Sequence, residues 1–473
     1  MIGPMHGLLD PILLSRLQFA ATTLFHILWP VLTIGLSLFL VLMEALWLRT
    51  GDADYYRHAR FWARLFILNF GVGVATGLPL EFEFGTNWAP FASAAGSFFG
   101  NILGFEGAMA FMLEAGFLGI MMFGWNRVPR AMHLFATVMV AFGGTLSAFW
   151  IMDANSWMQT PTGGHMANGR FIIDSYLAAI WNPDFLWAFL HMWFACLETS
   201  LFVIGGIAAW YLLKGRDTAF FLKCFRWVVI IAMVVTPLQI YFGDANGKDV
   251  FAYQPAKGAA LEGHWVTNAP GEPASWAIVA WPDQSTQQND WEIRIPGVLS
   301  WLATGTSGGQ VKGLKDFAPA DQPPLLPVLF YGFRAMAGIG FALFLLMAWS
   351  VVAWARGTLV TNRWLLRAWV ASIPLGYIAV DLGWTVREVG RQPWVIYGIM
   401  RTADGASRLP VAAVGYTLLG YLVAYVILGI AFVVFALRII ARGPDLTVPL
   451  PEFAAPRHQP REGHRDPSAQ PEA

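Results

Sequence analysis

Nine stretches of this chain are long and apolar enough to cross a lipid bilayer, and this limits its fold more than any motif does. They lie roughly at 17–48, 65–82, 98–124, 131–152, 186–213, 220–242, 327–355, 365–386 and 412–440. Crossing the hydrocarbon core as a helix takes about 20 mostly apolar residues. The second and eighth runs are the weakest, because glycines, prolines and charges crowd their ends. The expected fold class is all-α: a polytopic membrane helix bundle of nine transmembrane helices. Charge is correspondingly scarce, at 13% of residues, where soluble domains carry roughly 25%. Thirty basic and thirty acidic residues cancel, so nothing points to nucleic acid. Cys196 and Cys224 both lie in apolar runs, which argues against a disulfide framework or a thiolate metal site. The N-terminus lacks the features of a cleaved signal peptide, so the first run is expected to remain as a membrane helix.

Arginine and lysine cluster in alternate connections, for example Arg49, Arg57, Arg60 and Arg64 after the first run and Arg356, Arg363 and Arg367 after the seventh. By the positive-inside rule the N-terminus is expected outside and the C-terminus in the cytoplasm. One exterior connection breaks the rule, with Arg387, Arg391, Arg401 and Arg408. The chain divides into helices 1–6 over 1–242, an exterior loop over 243–326, helices 7–9 over 327–442 and a disordered cytoplasmic tail over 443–473. The loop is too long for a simple connector.

Ionisable groups inside membrane spans are costly and mark functional sites. His26 lies in the first run, His191 in the fifth and Met336 in the seventh. Two such histidines without a cysteine cluster favour heme over iron–sulfur or structural zinc, and His with Met is a common axial pair of electron-transfer hemes. Either histidine could equally bond a neighbouring helix. Glu106 and Glu114 are eight residues apart in GFEGAMAFMLEAGF, which on a helix puts them on one broad face about 12 Å apart. Apolar surroundings raise a carboxyl pKa and suit it to passing protons. Thr145 and Ser147 could extend that path or simply pack helices. Glu81 and Glu83 close the second run, Glu198 has no evident role, and Lys257 and Glu262 read as ordinary loop charges.

Several segments resemble subunit I of the cytochrome bd-type quinol oxidases: SRLQFAATTLFH, GLPLEFEFGTNW, GFEGAMAFMLE, WYLLKGRD, FRAM and GWTVREVGRQPW. They occur in the family's order from residue 15 to about 402. The short exterior loop resembles the branch that includes cyanide-insensitive oxidases, where a heme b can stand in place of heme d. The resemblance implies a low-spin heme b held by His191 and Met336 with Arg334 beside them. It implies a high-spin heme b on Glu388 and heme d, or its equivalent, on His26, the last two assignments being exchangeable. It further implies proton delivery by Glu106 and Glu114, electron transfer aided by Trp384, and Arg391 and Arg334 either pairing with heme propionates or stabilising charge at the hemes. Lys257 and Glu262 fall on the family's quinol-site pair, against their bland reading as loop charges.

The implied activity is that of a terminal oxidase in a bacterial cytoplasmic (inner) membrane. Ubiquinol or menaquinol is oxidised outside, and O2 is reduced to water with cytoplasmic protons, without pumping. The implied partners are a second large membrane subunit and a small single-span one. Two other readings suit the buried charges: a nine-span ion or solute transporter, and a heme b anchor feeding electrons to another subunit. Arg387, where many relatives carry a small residue, has no assigned role.

Overall fold

A computed structural model describes residues 10–451. Among the described residues nine helices are long and apolar enough to cross a membrane: α1 (Pro11–Thr50), α2 (Ala53–Thr86), α3 (Phe99–Phe123), α4 (Arg130–Gln159), α5 (Phe185–Lys214), α6 (Thr218–Tyr253), α7 (Leu326–Ala355), α8 (Arg363–Arg391) and α9 (Val411–Arg442). The expected bundle is therefore present. The disordered tail expected over 443–473 lies mostly outside the described residues.

Helix ends follow local chemistry. Asp10 caps α1 by accepting from the Ile12 amide at 3.0 Å, with Pro11 in the first turn, and such a cap contributes about 1 kcal/mol. Gly51, at φ 71°, closes α1 in the left-handed conformation that costs glycine least. Asp52 then caps α2. Lys223 of α6 reaches both Asp52 and Asp54 at 2.7 Å, fastening the turn to the bundle.

Two spans differ from simple α-helices. In α3 a π-helical turn, Glu106–Phe111, separates two α-helical pieces. The register between Glu106 and Glu114 is therefore not that of a straight α-helix. Span α8 is two helices, Arg363–Ala371 and Leu375–Arg391. The break is at Pro374, which lacks an amide hydrogen and crowds the preceding turn. It accounts for the weakness of the eighth run.

The core is built around α1 and α5, whose apolar windows are largely buried, while few residues of α9 are buried and it packs on α1 through Tyr425 against Phe25 and Phe432 against Trp29. Gly35 of α1 lets Ser200 of α5 approach so closely that a Cβ there would meet its side chain, and Ser200 bonds back to the α1 carbonyls of Val31 and Leu32. Small residues at such crossings are what lets membrane helices pack.

The long loop is itself folded. Its first residues, through Tyr253, are still α6. A short helix, Pro255–Glu262, carries Lys257 and Glu262. An antiparallel hairpin of Trp276–Asp283 with Gln288–Ile295 follows, then a helix over Val298–Thr304.

Candidate heme and quinol sites

The conspicuous site is built where α4 and α8 end beside the folded loop. Glu388 lies in the last turn of α8. Its Oε2 is ion-paired with Arg391, one turn on. Its Oε1 accepts from Asn155 Nδ2 at 2.8 Å and Gln159 Nε2 at 3.3 Å, both on α4. Asn155 and Gln159 are four residues apart and so share a helix face.

Arg387 now has a place. It does not touch Glu388. Its guanidinium turns to Asp184 at 2.5 Å and donates from Nε to Asn155 Oδ1 at 2.6 Å. Asn155 is thereby held by Arg387 on one side while it holds Glu388 on the other. Breaking a buried ion pair of this kind by removing one partner costs about 3–5 kcal/mol.

The loop residues meet the same network. Lys257 is 3% exposed; its Nζ donates to Gln159 Oε1 at 3.1 Å, and its stem packs where a Cβ on Gly390 would stand. Burial, with Arg387 nearby, pushes its pKa down to about 7. Glu262 does not pair with Lys257. It binds Arg334 at 2.8 Å, and burial pushes its carboxyl up to about 7, with Arg334 opposing. Arg334 also donates to the carbonyls of Leu261, Ile278 and Ala277. These bonds anchor Arg334 to the folded loop.

The axial-ligand candidates sit on three other helices. His26 Nδ1 lies 3.0 Å from Thr76 Oγ1. The Thr76 hydroxyl is itself 3.0 Å from the Val72 carbonyl and 3.1 Å from that of Gly73. With its one proton directed there, Thr76 accepts from His26 Nδ1–H. That leaves Nε2 with a lone pair, the tautomer a metal ligand needs. His191 is buried, its Nδ1 has no protein partner, and its ring leaves no room for a side chain at Gly243 of α6. Met336 Sδ presses on Gly383 of α8, where a Cβ would lie 2.9 Å away. Trp384, the next residue, packs in clusters with Met192, the neighbour of His191.

These residues fit hemes. Among the described residues no three His, Cys, Asp or Glu side chains converge as a protein-only ion site would require. Separate single donors suit iron already held in a macrocycle. Arg391 is 5% exposed, and its Nε and Nη1 have no partner, as befits a guanidinium awaiting an anionic group.

The carboxylates of α3 both meet α4. Ser147 Oγ donates to Glu106 Oε1 at 2.7 Å. Glu114 is buried against Gly143 and Gly144, with its Oε1 unpaired. Thr145 lies at the 3.5 Å limit of a bond from Trp193. At the other end of α4, Glu44 of α1 is held by His133 and Thr137, each at 2.8 Å. Glu83 is also buried and accepts from Thr22 at 2.7 Å. Nothing in the structure explains Glu198.

Sequence reasoning missed Thr76, Asn155, Gln159 and Asp184. The polar run in DANSWMQ, closing a membrane span, was the available signal for two of them.

The match to known proteins covers nearly the whole chain. Residues 14–444 match the family cytochrome bd terminal oxidase subunit I. Cytochrome bd ubiquinol oxidase subunit 1 of Bacillus subtilis is 35% identical over 446 residues, covering 92% of this chain and 95% of the relative. Cytochrome bd-II ubiquinol oxidase subunit 1 of Escherichia coli is 34% identical, covering 92% and 97%. The solved structure of bd oxidase from Geobacillus thermodenitrificans superposes with a TM-score of 0.84 at 32% identity, covering 92% of this chain and 99% of that one.

Proposed function

This chain belongs to the cytochrome bd terminal oxidase subunit I family, and from that premise we propose that it is the heme-bearing catalytic subunit of a quinol:oxygen oxidoreductase in a bacterial cytoplasmic membrane. The observation that carries this reading is the half-buried Glu388 centre, where a carboxylate, an under-used guanidinium and the loop lysine share one hydrogen-bond network. The transporter and anchor readings are not favoured by family membership.

Quinol docks on the loop between Lys257 and Glu262. Both groups titrate near neutrality, where acid–base exchange with a hydroxyl is most efficient. Glu262 takes the quinol protons and releases them outside, and Arg334 keeps it in place. When bound, a low-spin heme b at His191 and Met336, a high-spin heme b at Glu388 and a heme d, or a third heme b, at His26 supply one-electron relay and the iron that reduces oxygen. Thr76 fixes the ring of His26, and Asn155, Gln159 and Arg391 fix Glu388. Trp384, packed in the same clusters as Met192 and one helical turn before Glu388, aids electron transfer between the hemes. Glu114, Glu106 and Ser147 move protons from the cytoplasmic side. Two quinols give four electrons and four protons, and one O2 consumes four of each to form two waters. Charge separates because the two sets of protons come from opposite sides, so no pump is required. The exposed α3 and α9 are covered by lipid and a second large membrane subunit, with a small single-span subunit as a further partner.

The test is a redox difference spectrum of the chain purified with its partner. His191→Ala or Met336→Ala abolishes the low-spin signal. A signal surviving both changes would sink the assignment, and a colourless wild-type protein would sink the oxidase reading.

A further inference from the structure

Lys257 and Glu388 belong, in the reading above, to different sites: one to quinol, the other to iron. In sequence they are 131 positions apart (388 − 257). In space they are joined by one side chain. Gln159 accepts from Lys257 Nζ on its carbonyl end at 3.1 Å and donates to Glu388 Oε1 from its amide end at 3.3 Å. Gln159 is 1% exposed. Its own backbone carbonyl is held at 2.7 Å by Gln254 Nε2, and Gln254 immediately precedes the helix that carries Lys257.

Two further details make the link more than structural filler. An ammonium has three donors to satisfy, yet among the described residues Gln159 Oε1 is the one hydrogen-bond acceptor found for this buried lysine, and no carboxylate lies within ion-pair distance of it. The stem of Lys257 is also pressed onto Gly390, two residues from Glu388. A Cβ there would lie 2.8 Å from Lys257 Cγ, so no side chain intervenes between the lysine and the end of α8.

We propose that Gln159 is a positioning residue that couples the quinol pocket to the Glu388 centre. The inference rests on the assignment of Lys257 to quinol and Glu388 to iron. A quinol oxygen that takes the Lys257 ammonium draws it off Gln159 Oε1. The amide is then free to turn, and Glu388 Oε1 keeps the Asn155 bond but loses the second one. Coupling of this sort is reciprocal: whatever changes at Glu388 on quinol binding must change quinol affinity by the same factor when Glu388 is altered.

The experiment uses the purified oxidase complex and a tight-binding, redox-inert quinone analogue. Two quantities are read: the analogue's Kd, and the shift its binding produces in the high-spin part of the visible spectrum. In the wild type, binding shifts that spectrum. Gln159→Leu retains the hemes but loses the shift, and the analogue's Kd changes by about three- to ten-fold, the scale of one hydrogen bond. Gln159→Glu, which can still accept from Lys257 but cannot donate to Glu388 when ionised, retains binding while losing the shift. Lys257→Met combined with Gln159→Leu is no worse than Lys257→Met alone. An unaltered shift in Gln159→Leu overturns the coupling. Failure of the underlying reading looks different: Lys257→Met would leave the analogue's Kd unchanged, or Glu388→Ala would leave the high-spin spectrum unchanged.

Discussion

Glu388 and Glu114 are both carboxylates at the edge of α4, and α4 treats them in opposite ways. At Glu388 the helix offers amides. Asn155 and Gln159 bond one oxygen, Arg391 pairs with the other, and Arg387 with Asp184 braces Asn155 from behind. At Glu114 it offers Gly143 and Gly144, and one carboxylate oxygen has no partner. Glu106 has a single hydroxyl, from Ser147. A carboxylate held by several donors stays charged and fixed, as a ligand must. One left sparsely bonded can take and give a proton. The same residue type, set against the same helix from two different spans, thus meets two different environments, decided by what the facing surface of α4 supplies.

The comparison breaks most visibly by paired substitution. Glu388→Gln should remove one heme's spectral signature altogether, since an amide cannot replace the anionic ligand. Glu114→Gln should instead slow quinol-driven oxygen consumption by roughly 10²- to 10⁴-fold, the range for lost acid–base transfer. Identical phenotypes for the two would erase the distinction drawn here.

Next in size is the brace. Arg387→Ala leaves Asp184 buried without its cation and should lower the unfolding free energy by about 3–5 kcal/mol, read as a lower thermal midpoint in detergent. If Asp184→Asn in the same background costs a further equal amount, the two residues are not a pair.

The smallest effect concerns pH at the loop. Lys257 titrates near 7 in the folded chain against 10.5 ordinarily. Between those values the unfolded chain holds a proton that the folded chain has released, so this group's contribution to stability rises with pH across that window. Glu262, raised to about 7 from 4.5, holds a proton when folded that the unfolded chain has lost, so its contribution falls as pH climbs from 4.5 to about 7. Lys257→Met should therefore raise the thermal midpoint most below pH 7, and the gain should shrink as pH rises above it. A gain that grows with pH would show that Lys257 is not buried as a charge.

Much of this was legible in one dimension. A run of apolar residues must become a helix in lipid, because nothing else satisfies its backbone there; hence the nine spans could be read off directly. Local spacing was equally readable. Trp384, Glu388 and Arg391 fall at helical intervals on one segment, whereas the break of α8 at Pro374 was not readable, because Pro30, Pro79 and Pro237 sit inside unbroken helices. The misjudged features were non-local or depended on fine geometry. A π-helical turn in α3 has no apolar signature of its own. The loop carbonyls that bind Arg334 come from residues 56 to 73 positions away in sequence.

What the sequence determined by itself is the set of membrane helices and the presence of histidines, a methionine and carboxylates inside them, since hydrophobicity and local helical periodicity are properties of neighbours along the chain. What only the tertiary structure decided is each polar group's partner: Asn155 for Glu388, Asp184 for Arg387, Thr76 for His26 and Gln159 for Lys257. Those pairs are tens to hundreds of residues apart, and a hydrogen bond is a matter of a few ångströms and an angle, which no spacing along the chain encodes.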